Sequence, residues 1–158
     1  MGKWQACRPK ALRSGSELQF MLTSALEPLK ALALADLRCF RSPTQFLKDA
    51  ICSLWQVFQD GLCMQGDATE VGVTKAILLV TKGRLGPAFD SNVKSKLKAS
   101  YVIDAKTYLK AIAALATELA GFEDREQKSI EDLAAMAGRP AGVGRVIDMI
   151  LGPRPTRQ

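Results

Sequence analysis

The chain of 158 residues contains no histidine. Catalytic triads and dyads that use an imidazole as the base are therefore excluded, and so are zinc sites with a histidine ligand. No other side chain changes its charge near neutral pH at its ordinary pKa. Carboxylates, lysines, thiols and hydroxyls remain as the candidate reactive groups.

Long apolar runs and paired cysteines are also missing. The longest uninterrupted apolar run, residues 76–80, is far shorter than the roughly 18 residues that a membrane span requires, so we expect no membrane partner. The four cysteines include no Cys-x-x-Cys pair, which excludes zinc-ribbon and thioredoxin-type motifs. We expect no metal, no cofactor, reduced thiols with Cys52 in the core, and a cytoplasmic location.

The charges are unevenly distributed along the chain, which carries 22 basic and 16 acidic residues and a net charge of +6. Residues 1–16, residues 82–110 and the stretch from residue 139 onward are basic, whereas residues 117–132 are acidic. This pattern suits a partner with regularly spaced negative charge, first nucleic acid and second an anionic membrane surface. A mildly basic protein without such a partner would show the same balance.

Apolar residues at helical spacing predict an all-α fold. The clearest helix begins at Ser42-Pro43 and ends at Gly61, and another runs from Asp104 to Gly121. Residues 76–82 fit a buried strand or a buried helix, which periodicity cannot separate. Further helices are predicted over residues 17–26 and 28–38, and after Asp90, Ser129 and Gly142.

Seven or eight short helices with short connections predict an orthogonal helical array. We expect a single helical domain over residues 14–152, a length that one hydrophobic core can serve. Basic tails over residues 1–13 and 153–158 would flank it.

Two short motifs lie one helix apart. Val71-Gly72-Val73-Thr74-Lys75-Ala76 leads into an apolar helical turn, and Ala88-Phe89-Asp90-Ser91-Asn92-Val93-Lys94 follows after a glycine-rich break. A glycine turn before a helix lets the backbone approach a phosphate, and the first amides of that helix point at it. Asp90, at the start of the next helix, would then face the same ligand.

This stretch, about residues 70–97, resembles the helix-hairpin-helix DNA glycosylases. Their hairpin reads roughly Leu-Pro-Gly-Val-Gly-x-Lys-Thr-Ala and is followed one helix later by Val-Asp-Thr-x-Val-x-Arg. The resemblance implies a helix-hairpin-helix element and places Asp90 on the catalytic aspartate, which stabilises the cationic sugar or activates its attacker. Glu70 falls on the first hairpin glycine and Thr74 on the lyase lysine, which Lys75 reaches only by a one-residue shift. The resemblance therefore implies nucleic-acid binding without lyase activity, and any catalysis would be that of a monofunctional glycosylase.

The predicted contacts to a DNA or RNA backbone are the hairpin residues and a lysine face on the short helix that begins at Asp90. They are Gly72, Val73, Thr74, Lys75, Lys94 and Lys98. Each has a plainer interpretation, since an aspartate before a helix is often only an N-cap and lysines usually form a solvated face. A further hairpin-like motif is Gly142-Val143-Gly144-Arg145.

A different interpretation is a protein-interaction or structural module with no role in nucleic-acid binding. The acidic segment from Glu118 to Asp132 would then pair with the basic segment before it, across a homodimer or on another protein. The alanine- and leucine-rich helix after Asp104 has more apolar surface than one core needs, which supports this alternative. A small-molecule enzyme is a third interpretation, although the sequence has no phosphate-binding loop of the P-loop or dinucleotide type.

Overall fold

The computed structural model describes residues 15–63 and 66–152, and the two predicted basic tails lie outside these ranges. The described residues form eight α-helices and one 3-10 helix without any strand, which confirms the predicted all-α array of seven or eight helices. The α-helices are α1 (Gly15–Ser24), α2 (Leu26–Ala31), α3 (Gln45–Gly61), α4 (Glu70–Val80), α5 (Ser91–Lys96), α6 (Ala105–Glu126), α7 (Ile130–Met136) and α8 (Val143–Leu151). The 3-10 helix is Leu37–Arg41.

Side-chain caps determine where the helices begin. The hydroxyl of Thr44 accepts the backbone N–H of Leu47, so α3 begins two residues later than the Ser42 cap that the sequence suggested. Asp104 begins α6 as predicted and forms a capping box with Thr107. The end predicted for this helix at Gly121 is wrong, because α6 continues to Glu126 and ends where Gln127 adopts a left-handed backbone with φ of 53°.

The ambiguous segment at residues 76–82 is helical as far as Val80. It belongs to α4, whose N-cap is Thr69, and Thr81 follows the last helical residue. The side chains of Ile77 and Leu78 are buried, whereas Leu79 is 63% exposed. The apolar run therefore lies on a helix that packs one side on the core and leaves Leu79 exposed to solvent.

The hydrophobic core lies between α3 and α6. Trp55 of α3 and Phe89 both pack on Tyr108 of α6, with ring centroids 5.5 and 5.7 Å from that of Tyr108. α1, α2 and α4 pack on α3, the 3-10 helix packs on α6, and α8 contacts α5 and α7. Trp55 is 2% exposed, in agreement with its predicted place in the core.

One arginine joins three of these elements. Arg38 of the 3-10 helix pairs with Asp36, with Glu123 of α6 and with Glu131 of α7, and the N···O distances are 3.0, 2.5 and 2.6 Å. The three carboxylates accept hydrogen bonds from different nitrogens of the guanidinium group. Arg38 therefore holds the 3-10 helix against α6 and α7. Two acids of the segment expected to bind another chain are thus paired within their own chain.

The cysteines differ from expectation in two respects. Cys52 is an exposed free thiol on α3 and is not a core residue. Its neighbour Ile51 takes the buried side of the helix instead. Cys63 is buried and disulfide-bonded, so the expected reduced state does not hold for it.

Among the described residues, no helix is long and apolar enough to cross a membrane.

Candidate functional site

Gly72 is the third residue of α4 and does not form a turn. Thr69 caps the helix, and its hydroxyl oxygen accepts the backbone N–H of Gly72 at 3.2 Å. Because a side chain of the chain itself takes this amide, it is not free to meet a phosphate. The predicted glycine turn is therefore wrong, and the structure does not confirm a helix-hairpin-helix element at this position.

The next two predicted residues are buried in the fold. Val73 and Thr74 are both 0% exposed. The hydroxyl of Thr74 donates to the carbonyl of Val71 and accepts the backbone N–H of Phe89 at 3.0 Å. Thr74 thus fastens α4 to the chain just before Asp90, which brings the two sequence motifs together through a contact that the sequence did not reveal.

Asp90 is the N-cap of α5. Its Oδ1 accepts the backbone N–H groups of Asn92 and Val93, each at 3.0 Å. This is the plain N-cap role, one of the two roles that the sequence indicates for this aspartate. The same carboxylate also lines a cavity of about 470 Å³, and within the described residues its Oδ2 accepts no hydrogen bond.

Charged side chains from four parts of the fold meet at this cavity, which we call the Asp90 cavity. Its charged lining consists of Lys75 of α4, Asp90, Arg139 from the turn after α7, and Arg145 and Asp148 of α8. Of the predicted site residues, the structure therefore brings Lys75 and Asp90 together. Lys75 is the residue that reached the lyase position only by a shift of register.

The remaining acid of the cavity is neutralised internally. Asp148 pairs with Arg145 at 2.5 Å through Oδ2 and accepts the backbone N–H of Ala88 at 3.1 Å through Oδ1. Its side chain is only 15% exposed. Asp148 therefore fixes α8 to the chain that precedes Asp90, and it serves as a positioning residue for the cavity wall.

The glycines of the Gly142-Val143-Gly144-Arg145 motif allow α8 to approach the loop at residues 81–90. Arg145 donates its backbone N–H to the carbonyl of Gly83 at 2.9 Å. A Cβ on Gly142 would lie 2.8 Å from the same carbonyl oxygen, and one on Gly144 would overlap that of Leu85. This motif, noted in the sequence only as hairpin-like, is the signal that could have placed Arg139, Arg145 and Asp148 in the site.

Lys94 and Lys98 do not share a helix face as the sequence predicts. Lys94 pairs with Glu70 at 2.8 Å, and its side chain is 15% exposed. Burial is the largest single influence on Glu70 and opposes its ionisation, but the hydrogen bond from Lys94, a backbone hydrogen bond and the positive charge of Lys94 together outweigh it and lower the pKa of the carboxyl. Lys98 is exposed and lies beyond the end of α5, with a left-handed backbone at φ of 51°. The predicted lysine face is therefore wrong, because the helix ends at Lys96.

The described residues contain no group of three or more cysteine, aspartate or glutamate side chains that could hold a metal ion. No protein-family model, no curated protein and no solved structure matches the chain. The cavity and its charges are thus the basis for a functional proposal.

Proposed function

We propose that the protein binds the sugar–phosphate backbone of nucleic acid at the Asp90 cavity. The observation that supports this is the convergence of Lys75, Arg139 and Arg145 at one opening. Basic side chains at a phosphate displace condensed counterions, which provides most of the affinity of sequence-independent binding.

The cavity has basic groups that are not already used. Arg145 forms an ion pair with Asp148, and Oδ1 of Asp90 accepts two backbone N–H groups. Within the described residues, Lys75 and Arg139 form no ion pair, so both are available to a phosphate. Lys98 is exposed and stays in the proposal as a further backbone contact, whereas Lys94 is occupied by Glu70.

Duplex DNA binding measured by fluorescence anisotropy over a series of salt concentrations tests this function. The logarithm of the affinity should fall steeply with the logarithm of the salt concentration. The variants Lys75→Gln and Arg139→Gln should each reduce the slope by about 1. Lys110→Gln, at an exposed lysine of α6 outside the cavity lining, is the matched control and should leave the slope unchanged. Flat or absent binding at low salt would contradict the proposal.

A catalytic role for Asp90 is a separate step of the proposal, supported by its place in the cavity lining. Asparagine caps helices as well as aspartate does, so Asp90→Asn should keep the fold and the binding of DNA. Removal of a base by the wild-type protein should be lost in this variant. Base removal that survives the substitution would exclude Asp90 from the chemistry, and a wild type that removes no base would be a binding protein only.

Exposed apolar side chains favour a second candidate, a protein-interaction module. Phe20 of α1 is 77% exposed, and Leu34 after α2 is 97% exposed. The predicted homodimer through the acidic segment has less support, because Glu123 and Glu131 already pair with Arg38. Sedimentation velocity over a range of concentrations tests this candidate, and a strictly monomeric particle would remove the homodimer version.

A further inference from the structure

A second and larger cavity, of about 630 Å³, lies between α6, α7 and α8. We call it the α6–α8 groove. Most of its lining is apolar and includes Leu115, Leu119 and Phe122 of α6, Leu133 of α7, and Val146 and Ile150 of α8. Ile150 is 59% exposed, so the groove presents hydrocarbon surface to solvent. Cavities of roughly 300–1,000 Å³ with an apolar lining and a few placed polar groups are typical of small-molecule sites.

The charged residues of the groove are Glu118, Arg125 and Arg139. Glu118 and Arg125 lie two turns apart on α6, and Arg139 follows α7. In the described part of the chain neither arginine has a carboxylate partner, unlike Arg38 and Arg145, which are paired. Two guanidinium groups against one carboxylate leave the groove with an excess of positive charge beside its apolar surface.

We propose that the α6–α8 groove binds a small amphipathic anion, a hydrocarbon chain that carries one carboxylate. The chain packs on the leucine and phenylalanine side chains, and the carboxylate meets Arg125 and Arg139. A planar guanidinium can donate two parallel hydrogen bonds to a carboxylate, which gives the head group a preferred place. The proposal is independent of nucleic-acid binding, although Arg139 and Met149 line both cavities.

Isothermal titration calorimetry with decanoate, below the concentration at which it forms micelles, tests the site. Nonyltrimethylammonium, which has the same nine-carbon hydrocarbon chain and a cationic head, is the matched ligand control. We expect decanoate to bind with one-to-one stoichiometry and about tenfold or more tightly than the cation, because only the carboxylate pairs with arginine. Equal affinity for the two ligands, or no binding of decanoate, would overturn the proposal.

Variants then locate the site. Arg125→Gln and Arg139→Gln should each weaken decanoate binding about tenfold, and Ile150→Asn should weaken binding of the hydrocarbon chain. Arg41→Gln and Leu34→Asn change an exposed arginine and an exposed leucine outside the groove lining and should leave the affinity unchanged. Lys75→Gln, which affects the Asp90 cavity alone, should also leave it unchanged, so that failure here is distinct from failure of the nucleic-acid proposal.

Another occupant of the groove would give a different result. If the chain formed a concentration-dependent dimer that Ile150→Asn dissociated, while decanoate neither bound nor dissociated it, the groove would belong to a second copy. That result would overturn the proposal. Loss of decanoate affinity in the control variants to the same extent as in the groove variants would also overturn it, because binding would then not be confined to the groove.

Discussion

At the scale of single residues, Gly144 shows how closely α8 is packed on the loop that leads to Asp90. Gly144 is buried beside the carbonyl of Leu85, and a methyl group has no room there. Gly83 needs the absence of a side chain for a second reason, since its φ of +72° lies in the left-handed region. The Asp90 cavity therefore depends on Gly83 and Gly144, although neither glycine lines it.

Gly144→Ala should reduce the free energy of unfolding by at least about 2 kcal/mol, because overpacking against a backbone carbonyl forces the helix to move. Gly121→Ala, in the interior of α6, is the matched control. The nearest atom to its added Cβ would be the end of the Arg125 side chain at 3.6 Å, so this variant should be more stable by about 0.5–1 kcal/mol. Urea unfolding measures both variants, and a Gly144→Ala protein as stable as the wild type would refute this account of the packing.

At the scale of elements, α4 is held to the start of α5 by a buried hydrogen bond. The Thr74 hydroxyl accepts the N–H of Phe89, and both residues are 0% exposed. The Thr81 hydroxyl, in contrast, donates to Ile77 in the preceding turn of its own helix at 2.7 Å. The two buried threonines therefore have different roles, because Thr74 joins α4 to the chain before α5 whereas Thr81 bonds back to the helix that it ends.

Thr74→Val should cost about 1–3 kcal/mol of stability, because the valine is nearly isosteric but leaves the N–H of Phe89 buried without an acceptor. Hydrogen exchange at this amide should become faster. Thr81→Val removes a donor whose acceptor keeps its backbone bond, and we expect a much smaller change in stability. Similar unfolding midpoints in urea for the two variants would contradict the assigned role of Thr74.

The elements that the sequence predicted best are those in which periodicity and caps agree. The helix from Asp104 has a capping box and a long apolar face, and its start was predicted to the residue. The predicted start of α3 at Ser42 differs from the observed one, because Ser42, Pro43 and Thr44 are all residues that commonly begin a helix. In the structure the Thr44 hydroxyl is the cap that accepts an N–H of the first turn. A glycine often follows the end of a helix, so Gly121 predicts a helix end, but α6 continues through it to Glu126.

The candidate site was predictable only in part. Sequence spacing indicated that Asp90 lies near α4, but the link is the hydroxyl of a buried threonine, and local pattern does not reveal a contact between residues 15 positions apart. Arg145 and Asp148 come from α8, and Arg139 comes from the turn before it, all about 50 or more residues further along the chain. They meet the cavity because Gly142 and Gly144 allow α8 to pack on the loop.

At the scale of the whole molecule, the stability should depend on pH through the cluster around Arg38. The hydrogen bond from Arg38 lowers the pKa of Glu123 below the ordinary 4.5, despite the partial burial that opposes it. The unfolded chain therefore binds more protons than the folded protein in the window below that value. The contribution of Glu123 is complete above about pH 4.5 and is lost as the pH falls through its lower folded pKa.

Arg38→Met should destabilise the protein by about 2 kcal/mol near pH 7, since it removes charged hydrogen bonds to two glutamates. The difference from the wild type should shrink as the pH falls below about 4.5 toward the lowered folded pKa of Glu123, where this carboxyl becomes protonated in the folded protein. Arg41→Met, at an exposed arginine of the same 3-10 helix, should have little effect at either pH. Urea unfolding at the two pH values measures this, and a difference for Arg38→Met that grows on acidification would contradict the prediction.

The most direct measurement of the central claim is the map of amide chemical-shift changes when a short DNA duplex is added to the isotopically labelled protein. If the Asp90 cavity binds the sugar–phosphate backbone of the DNA, the largest chemical-shift changes should fall on the amides of the residues in and beside it: Lys75, Ala88, Asp90, Arg139 and Arg145. Added salt should reverse these changes together. Changes confined to helices outside the cavity, or no changes at low salt, would contradict the claim.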